Sequence, residues 1–145
     1  MDTNPVIAQP HRVIARAAGT VGLLGVALVH LLDLQSKLHE TPYLGLGYIA
    51  LIVGAVGTAG ALIHRDSRSA WVAAALLAGL TLAGYVVNRT VGMPSATDDI
   101  GNWLEPLGLA SLFVEGITVA VSAYALADER GGGIARLSRR RLQAA

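Results

Sequence analysis

Residues 43–63 form a run of 21 positions without a charged side chain, and similar apolar blocks lie at 17–34, 70–88 and 106–127. An α-helix rises about 1.5 Å per residue, so 21 residues are enough to cross the ~30 Å apolar core of a bilayer. Charged residues make up 14% of the chain, against about 25% in typical soluble domains. The pattern predicts an all-α membrane protein, a bundle of four transmembrane helices in up-down-up-down order.

The segments outside these blocks are short and polar. We expect an N-terminal tail over residues 1–16, where Pro5 and Pro10 oppose regular structure, and a polar loop over residues 35–42. We expect a flexible basic tail over residues 128–145, in which Gly131–Gly133 act as a linker and residues 134–142 can form a short surface helix. The first apolar block is long and lacks a small-residue cleavage pattern, which favours an uncleaved transmembrane helix over a signal peptide.

The distribution of basic residues predicts the orientation. If the N-terminus lies inside, nine of the eleven Lys and Arg residues are cytoplasmic, and only Lys37 and Arg89 lie outside. Cytoplasmic loops of membrane proteins carry an excess of Lys and Arg. We therefore expect a multi-pass protein of the cytoplasmic (inner) membrane with both termini in the cytoplasm. The arginines of residues 136–141 are expected to contact anionic lipid heads, with protein docking as the alternative.

Two glycine series indicate where helices approach each other closely. Gly19, Gly22 and Gly25 recur at intervals of three residues in the first block, and Gly54, Gly57 and Gly60 do so in the second. Small residues let the backbones of membrane helices come close together. Both stripes are therefore expected to be packing faces. Trp71, at the start of the third block, is expected to be an interface anchor.

Polar groups recur at one depth, in the outer half of all four helices. Charged groups at such depth usually face the bundle interior and pair. The allowed pairs are Arg89 with Asp33 or Glu105, and His30 with Glu115. Two interpretations stay open: a structural polar network, or a water-accessible pocket that opens outward. The candidate pocket residues are His30, Asp33, Tyr48, Tyr85, Arg89, Trp103, Glu105 and Glu115.

The outer connection between the third and fourth blocks gives weaker signals. Asp98 and Asp99 are expected to form a solvated turn, with a cation site as the alternative. Trp103 is expected to be an interface anchor, with a lid over the pocket as the alternative. Pro106 suits the first position of a helix, where a missing N–H leaves no bond unmade.

Several kinds of chemistry are not expected. The chain has no cysteine, which removes disulfides, thiolate metal sites and iron–sulfur ligation. A haem held by two histidines is not expected, because only His30 lies deep and His64 lies at the opposite face. His30, Asp33 and Glu115 have suitable donors for a divalent metal, although no close ligand spacing supports such a site.

Signatures of serine hydrolases, P-loops and dinucleotide folds are absent, so we do not expect an enzyme. The net charge of +1 gives no indication of nucleic-acid binding.

Four stretches of the chain are similar to a family of small, uncharacterised bacterial four-helix membrane proteins. They are His30-Leu31-Leu32-Asp33, Glu40-Thr41-Pro42-Tyr43, Arg89-Thr90-Val91-Gly92-Met93-Pro94, and the segment Asp99–Gly108, DIGNWLEPLG. The resemblance extends from the first helix to Glu115. It implies the four-helix architecture and marks these residues as the family's signature, but it implies no activity.

Two functions follow as hypotheses. The first is a non-enzymatic membrane protein whose outward-facing pocket binds a cation, a proton or a small ligand. The second is an accessory subunit that packs through its glycine stripes against a larger membrane complex or another copy of itself.

Overall fold

The computed structural model describes the backbone of residues 10–143 and the side chains of residues 10–129. Four helices account for most of this part of the chain: α1 (Pro10–Glu40), α2 (Pro42–His64), α3 (Arg68–Thr90) and α4 (Pro106–Gln143). Each contains a segment long and apolar enough to cross a membrane. The prediction of an all-α protein with four candidate membrane spans is therefore confirmed.

The helices form a bundle in which α1 packs along both α2 and α4, while α3 packs along α4 and makes a smaller contact with α2. Side-chain contacts define two ends of this bundle. At one end, which we call the Arg12 end, Arg12 contacts Asp66, Asp128 and Glu129. The opposite, Arg89 end is the one where Lys37 and Arg89 both contact Asp99.

Helix α1 is longer than the sequence predicted at both ends. It begins at Pro10, within the expected tail, and continues to Glu40 through the expected loop, so that Thr41 alone separates it from α2. At its start, Arg16 donates hydrogen bonds to the Leu62 and Ile63 carbonyls near the C-terminus of α2. At its end, Ser36 donates to Glu40 four residues later. Such contacts one turn apart support a helix, and they explain why polar residues 35–40 remain helical.

Helix α4 is also longer than expected, because its backbone stays helical to Gln143 through Gly131–Gly133. Glycine lowers helix stability by about 1 kcal/mol relative to alanine but keeps its N–H donor, so a glycine run does not by itself end a helix. The prediction of a flexible linker there is wrong for the backbone. The predicted contacts of Arg136, Arg139, Arg140 and Arg141 with lipid lie outside the described side chains.

The bundle's main apolar core lies toward the Arg12 end and is built from small residues around one tryptophan. Trp71 is 1% exposed and donates its indole N–H to Asp66 Oδ1 at 2.7 Å. The expectation that Trp71 anchors the membrane interface is therefore wrong. Gly19 explains the difference, since a Cβ there would lie 2.7 Å from Trp71 Cζ3. The other core residues are Ala15, Leu23, Ala27, Ala55, Ala59, Leu62, Ala70, Ala74 and Ala125.

Only one of the two glycine stripes is a packing face within the bundle. Gly22 lies directly against Thr118 of α4, and a Cβ at Gly25 would lie 3.0 Å from Val114. In the second stripe, Gly54 faces Leu77, but a Cβ at Gly57 or Gly60 would meet no atom within 4 Å in the described part of the chain. The prediction is therefore confirmed for α1, while Gly57 and Gly60 of α2 have no neighbour within the bundle, since spacing alone does not show which face of a helix packs inside it.

Candidate functional site

A cavity of about 530 Å³ occupies the half of the bundle nearer the Arg89 end. It reaches from Glu40, at the end of α1, down to Val29, a distance of ~16 Å along the helix axis. Small-molecule sites in proteins commonly have volumes of ~300–1,000 Å³. The polar side chains that line it are His30, Asp33, Ser36, Lys37, Glu40, Tyr48, Thr81, Tyr85, Asn88, Arg89, Asp99, Glu105 and Ser111.

Asp99 joins the connection between α3 and α4 to two helices. Its carboxylate accepts a hydrogen bond from Arg89 at 2.6 Å and one from Asn88 at 2.9 Å, and Lys37 of α1 lies 3.7 Å away. Partial burial acts to raise the pKa of Asp99, but the Asn88 bond and the charges of Lys37 and Arg89 outweigh it and hold the pKa below its ordinary value. The prediction of a solvated turn at Asp99 is wrong, because this side chain lines the cavity.

Arg89 lies between two carboxylates and one aromatic ring. It is 6% exposed, donates to Glu105 at 3.3 Å as well as to Asp99, and stands 5.0 Å from the centre of the Tyr85 ring. Glu105 also accepts hydrogen bonds from the Leu107 and Gly108 N–H groups. Those amides belong to the first turn of α4, where N–H groups have no partner within the helix. Arg89 and Glu105 therefore fix the entrance of α4 beside the cavity.

Asp33 faces the cavity without such a cationic partner. Its Oδ2 accepts a long hydrogen bond, 3.4 Å, from the Tyr48 hydroxyl. Among the described residues no Lys, Arg or His nitrogen lies within 4 Å of it, whereas Asp99 and Glu105 both pair with Arg89. Of the two partners predicted for Arg89, the structure thus brings Glu105 to it and leaves Asp33 with Tyr48.

His30 and Glu115 meet deeper in the bundle. His30 Nδ1 bonds to the Val26 carbonyl at 2.9 Å, which assigns the proton to Nδ1, and Nε2 lies 3.9 Å from Glu115 Oε1. This distance exceeds a hydrogen bond but allows an ion pair. Glu115 is 0% exposed and accepts a bond from the Ser111 hydroxyl at 2.6 Å. The predicted proximity of His30 and Glu115 is therefore observed.

The structure brings most of the sequence-predicted site residues to one place. Six of the eight line the cavity: His30, Asp33, Tyr48, Tyr85, Arg89 and Glu105. Glu115 lies beside this set, against His30 and Ser111. Trp103 does not line the cavity; its ring stands edge-on to Tyr85 with centroids 6.0 Å apart, and it is 38% exposed.

Seven polar cavity residues were not among the predicted site residues: Ser36, Lys37, Glu40, Thr81, Asn88, Asp99 and Ser111. Two of them carried a usable signal. Lys37 follows Asp33 by four residues, and Ser111 precedes Glu115 by four, so each shares a helix face with a predicted residue. The expected break at residue 35 hid Lys37. Asp99 is the last residue of a 3₁₀ helix, Thr97–Asp99, which is too short for periodicity to indicate which way a side chain points.

The divalent-metal hypothesis gains no geometric support. Among residues 10–129, no group of three or more His, Cys, Asp or Glu side chains is arranged to hold a metal ion. Thus His30, Asp33 and Glu115 do not come together as a ligand set, because Asp33 turns to Tyr48 while His30 approaches Glu115.

No protein-family model, characterised protein or solved structure matches this chain. The resemblance to small bacterial four-helix proteins therefore stays a prediction, and function must be inferred from the site itself.

Proposed function

We propose that this chain is a non-catalytic protein of the bacterial cytoplasmic membrane whose cavity binds a small organic cation from the outer side. The observation that carries the proposal is the balance of charge around the cavity. Four carboxylates line it, Asp33, Glu40, Asp99 and Glu105, against two basic side chains, Lys37 and Arg89.

The carboxylates differ in how far they are already neutralised. Asp99 and Glu105 pair with Arg89, and Glu40 lies 3.5 Å from Lys37. Asp33 alone has only a hydroxyl partner. A carboxylate that is partly buried without a cation is unfavourable unless a charge arrives to pair with it. Asp33 is therefore the group we expect to contact the cation.

The size and the aromatic lining of the cavity favour an organic cation over a bare metal ion. A volume of about 530 Å³ far exceeds that of a single ion. Tyr48 and Tyr85 contribute aromatic rings to the wall. Aromatic faces attract ammonium groups by about 0.5–2 kcal/mol, more when water is excluded. An amine or quaternary ammonium group beside Asp33 fits this combination of a charge and rings.

The outward direction of the cavity follows from the positive-inside rule. Arg12, Arg16, Arg65 and Arg68 belong to the helix ends that gather at the Arg12 end. Among the side chains of residues 10–129, only Lys37 and Arg89 are Lys or Arg at the other end. The Arg12 end is accordingly cytoplasmic, with the helices in up-down-up-down order. Because the chain has no cysteine, Ser95→Cys should react with an impermeant thiol reagent applied outside intact cells, and Ser67→Cys should not. The reverse labelling pattern would contradict the orientation.

Binding can be tested with tetramethylammonium and methylammonium chloride, using sodium chloride at equal ionic strength as the reference. A ligand that binds only the folded state raises its stability by RT ln(1 + [L]/Kd). We expect either ammonium salt at 100 times its Kd to stabilise the purified protein by about 2.7 kcal/mol. The readout is the thermal midpoint in detergent.

Asp33→Asn tests which group binds. This substitution keeps the shape of the side chain and removes the charge, so the ammonium-induced stabilisation should disappear. Asp98→Asn is the matched control, since Asp98 is exposed and does not line the cavity. Equal stabilisation of all three proteins, or none in the wild type with any ammonium probe, would overturn the proposal.

A second function, the accessory subunit, is favoured by one observation. Gly57 and Gly60 of α2 face open space in the described structure, and α2 has the smallest buried share of the four spans. If a partner helix packs there, the protein should purify from mild detergent with a stoichiometric partner. Gly57→Leu should then remove the partner without lowering the stability of the isolated chain.

A further inference from the structure

Helix α4 carries a series of buried polar side chains that the cavity does not explain. Ser111, Glu115, Thr118 and Ser122 are each 5% exposed or less. Only Ser111 lines the cavity. The other three continue away from it, into the half of the bundle where the core is otherwise built from alanine, leucine and Trp71.

These four residues lie on one face of the helix. Their spacing is four, three and four residues, and at about 100° per residue their directions differ by no more than ~60°. Glu129 points in nearly the same direction further along α4, and Ala125 lies on this side of the helix between Ser122 and Glu129. We call this face, with Ser111, Glu115, Thr118, Ser122 and Glu129, the polar face of α4.

The polar face connects two clusters of charge. At one end, Ser111 bonds to Glu115, which lies beside His30. At the other, Glu129 accepts a hydrogen bond from Arg12 at 3.1 Å, and Arg12 also contacts Asp66 and Asp128. The face therefore runs from the cavity to the carboxylates of the Arg12 end, across the depth of the membrane span.

Helix packing alone does not account for these groups. Glu115 Oε2 and Ser122 Oγ are buried and have no hydrogen-bond partner in the described structure. A buried polar atom without a partner is unfavourable by about 1–3 kcal/mol, and apolar side chains of similar size would not carry that penalty. Thr118 does satisfy its hydroxyl, by donating to the Val114 carbonyl. At both atoms, which lie on one face of α4, a water molecule or a proton would complete the hydrogen bonding.

We propose that the polar face of α4 conducts protons between the outer cavity and the carboxylates of the Arg12 end. A hydronium ion in the cavity gives one proton to Nε2 of neutral His30, while Nδ1–H remains on the Val26 carbonyl. The imidazolium passes the Nε2 proton to Glu115, which changes from carboxylate to carboxylic acid. Water beside Thr118 and Ser122 then takes the proton to Glu129, which releases it to solvent. Each group returns to its starting state.

The distances between these groups show where proton transfer needs water or a movement of a side chain. His30 Nε2 and Glu115 Oε1 are 3.9 Å apart, so a small ring movement or one water must join them. Ser122 and Glu129 are seven residues apart, ~10 Å along the axis, which requires a short file of water past Ala125. The His30 ring stands edge-on to Tyr48 of α2 with ring centroids 4.6 Å apart. Asp33 of α1 and Arg89 of α3 line the same cavity as His30.

Proton movement of this kind does not depend on the proposed organic cation, so the two proposals can fail separately. The test uses the full chain in liposomes that contain a pH-sensitive dye and a high potassium concentration. Valinomycin then lets potassium leave and makes the interior negative, which draws protons in. We expect acidification at least about 10-fold faster than in protein-free liposomes, in the absence of any ammonium salt. A rate equal to that of protein-free liposomes overturns the proposal.

Two substitutions on the polar face assign the path. Glu115→Gln should return the rate to the protein-free background, and Ser122→Ala should lower it several-fold. Ser69→Ala, at an exposed serine of α3, is the control and should leave the rate unchanged. Thermal midpoints in detergent show whether each variant is folded. Wild-type rates in folded Glu115→Gln would overturn the proposal.

Chemical labelling of the wild-type protein tests the path even if a variant does not fold. Dicyclohexylcarbodiimide enters apolar regions and modifies carboxyl groups that carry a proton. In wild-type protein it should modify Glu115, as located by mass spectrometry, and it should stop the acidification. An unmodified Glu115, or modification without loss of flux, would contradict the assignment.

Discussion

The two halves of this bundle are built on different principles. Near the Arg12 end, Gly19, Gly22, Ala55 and Ala74 let the helices close around Trp71. Near the Arg89 end, the same helices carry long polar side chains that surround a cavity of about 530 Å³. Because the helices are continuous through both halves, the difference arises from side-chain size and polarity alone. A small-residue half holds the helices together, and the polar half leaves space for solvent or ligand.

The difference between the two halves also explains the role of the connection between α3 and α4. Polar side chains near the end of a span need partners, and the segment after α3 supplies them through Asp99 and Glu105. The turn is held by Gly101, whose φ of +78° is in the left-handed region that favours glycine, and whose N–H bonds to the Arg89 carbonyl. The Arg12 end needs no such segment, since Arg12 and Arg16 bridge the helix ends directly.

The largest effect is expected from the two tryptophans, which lie in different halves. Trp71→Ala removes a side chain that is 1% exposed and leaves Asp66 without its indole donor, so it should lower the free energy of unfolding by about 3–5 kcal/mol. Trp103→Ala removes a side chain that is 38% exposed, so about 1 kcal/mol is expected. Denaturant titration in detergent measures both. Equal losses would mean that the halves do not differ in packing.

A smaller effect is expected from the two glycine stripes. Gly22→Leu places a side chain against Thr118, and overpacking of this kind lowers stability by about 1–3 kcal/mol. Gly57→Leu fills open space on α2, so the isolated chain should change by no more than about 0.5 kcal/mol. The same titration compares them. A large loss in Gly57→Leu would show that α2 has a neighbour in detergent, such as a second copy of the chain.

Much of the fold could be predicted because membrane spans are read from length and hydropathy, which need no tertiary information. The residues at which the helices begin and end could not be predicted in this way. Residues 10–16 mix polar and apolar side chains, and they become helical because Arg12 and Arg16 find partners on α2 and α4. The direction of Trp71 depended on Gly19 of another helix, which no local pattern reveals.

The site was partly predictable for a related reason. Counting residues along each span placed His30, Tyr48, Arg89 and Glu115 at one depth, and depth suffices to bring such groups near each other. Predicting which groups pair also requires the direction in which each side chain points. Thus Asp33 was a predicted partner of Arg89 but contacts Tyr48, while Asp99, which lies in the connection, takes its place.

The smallest effect is expected from Asp99, which tests whether the polar half depends on charge as its contacts indicate. The folded-state pKa of Asp99 lies below its ordinary value of 3.8, so the ionised group stabilises the fold above about pH 3.8. That contribution is lost as the pH falls from there through the folded-state pKa. Between pH 5 and pH 2.5, wild-type protein should therefore lose about 1 kcal/mol more stability than Asp99→Asn, which has no proton to gain. Asp98→Asn, at an exposed neighbour, should follow the wild type. Parallel curves for wild type and Asp99→Asn would show that charge at Asp99 does not hold the outer connection to α1 and α3.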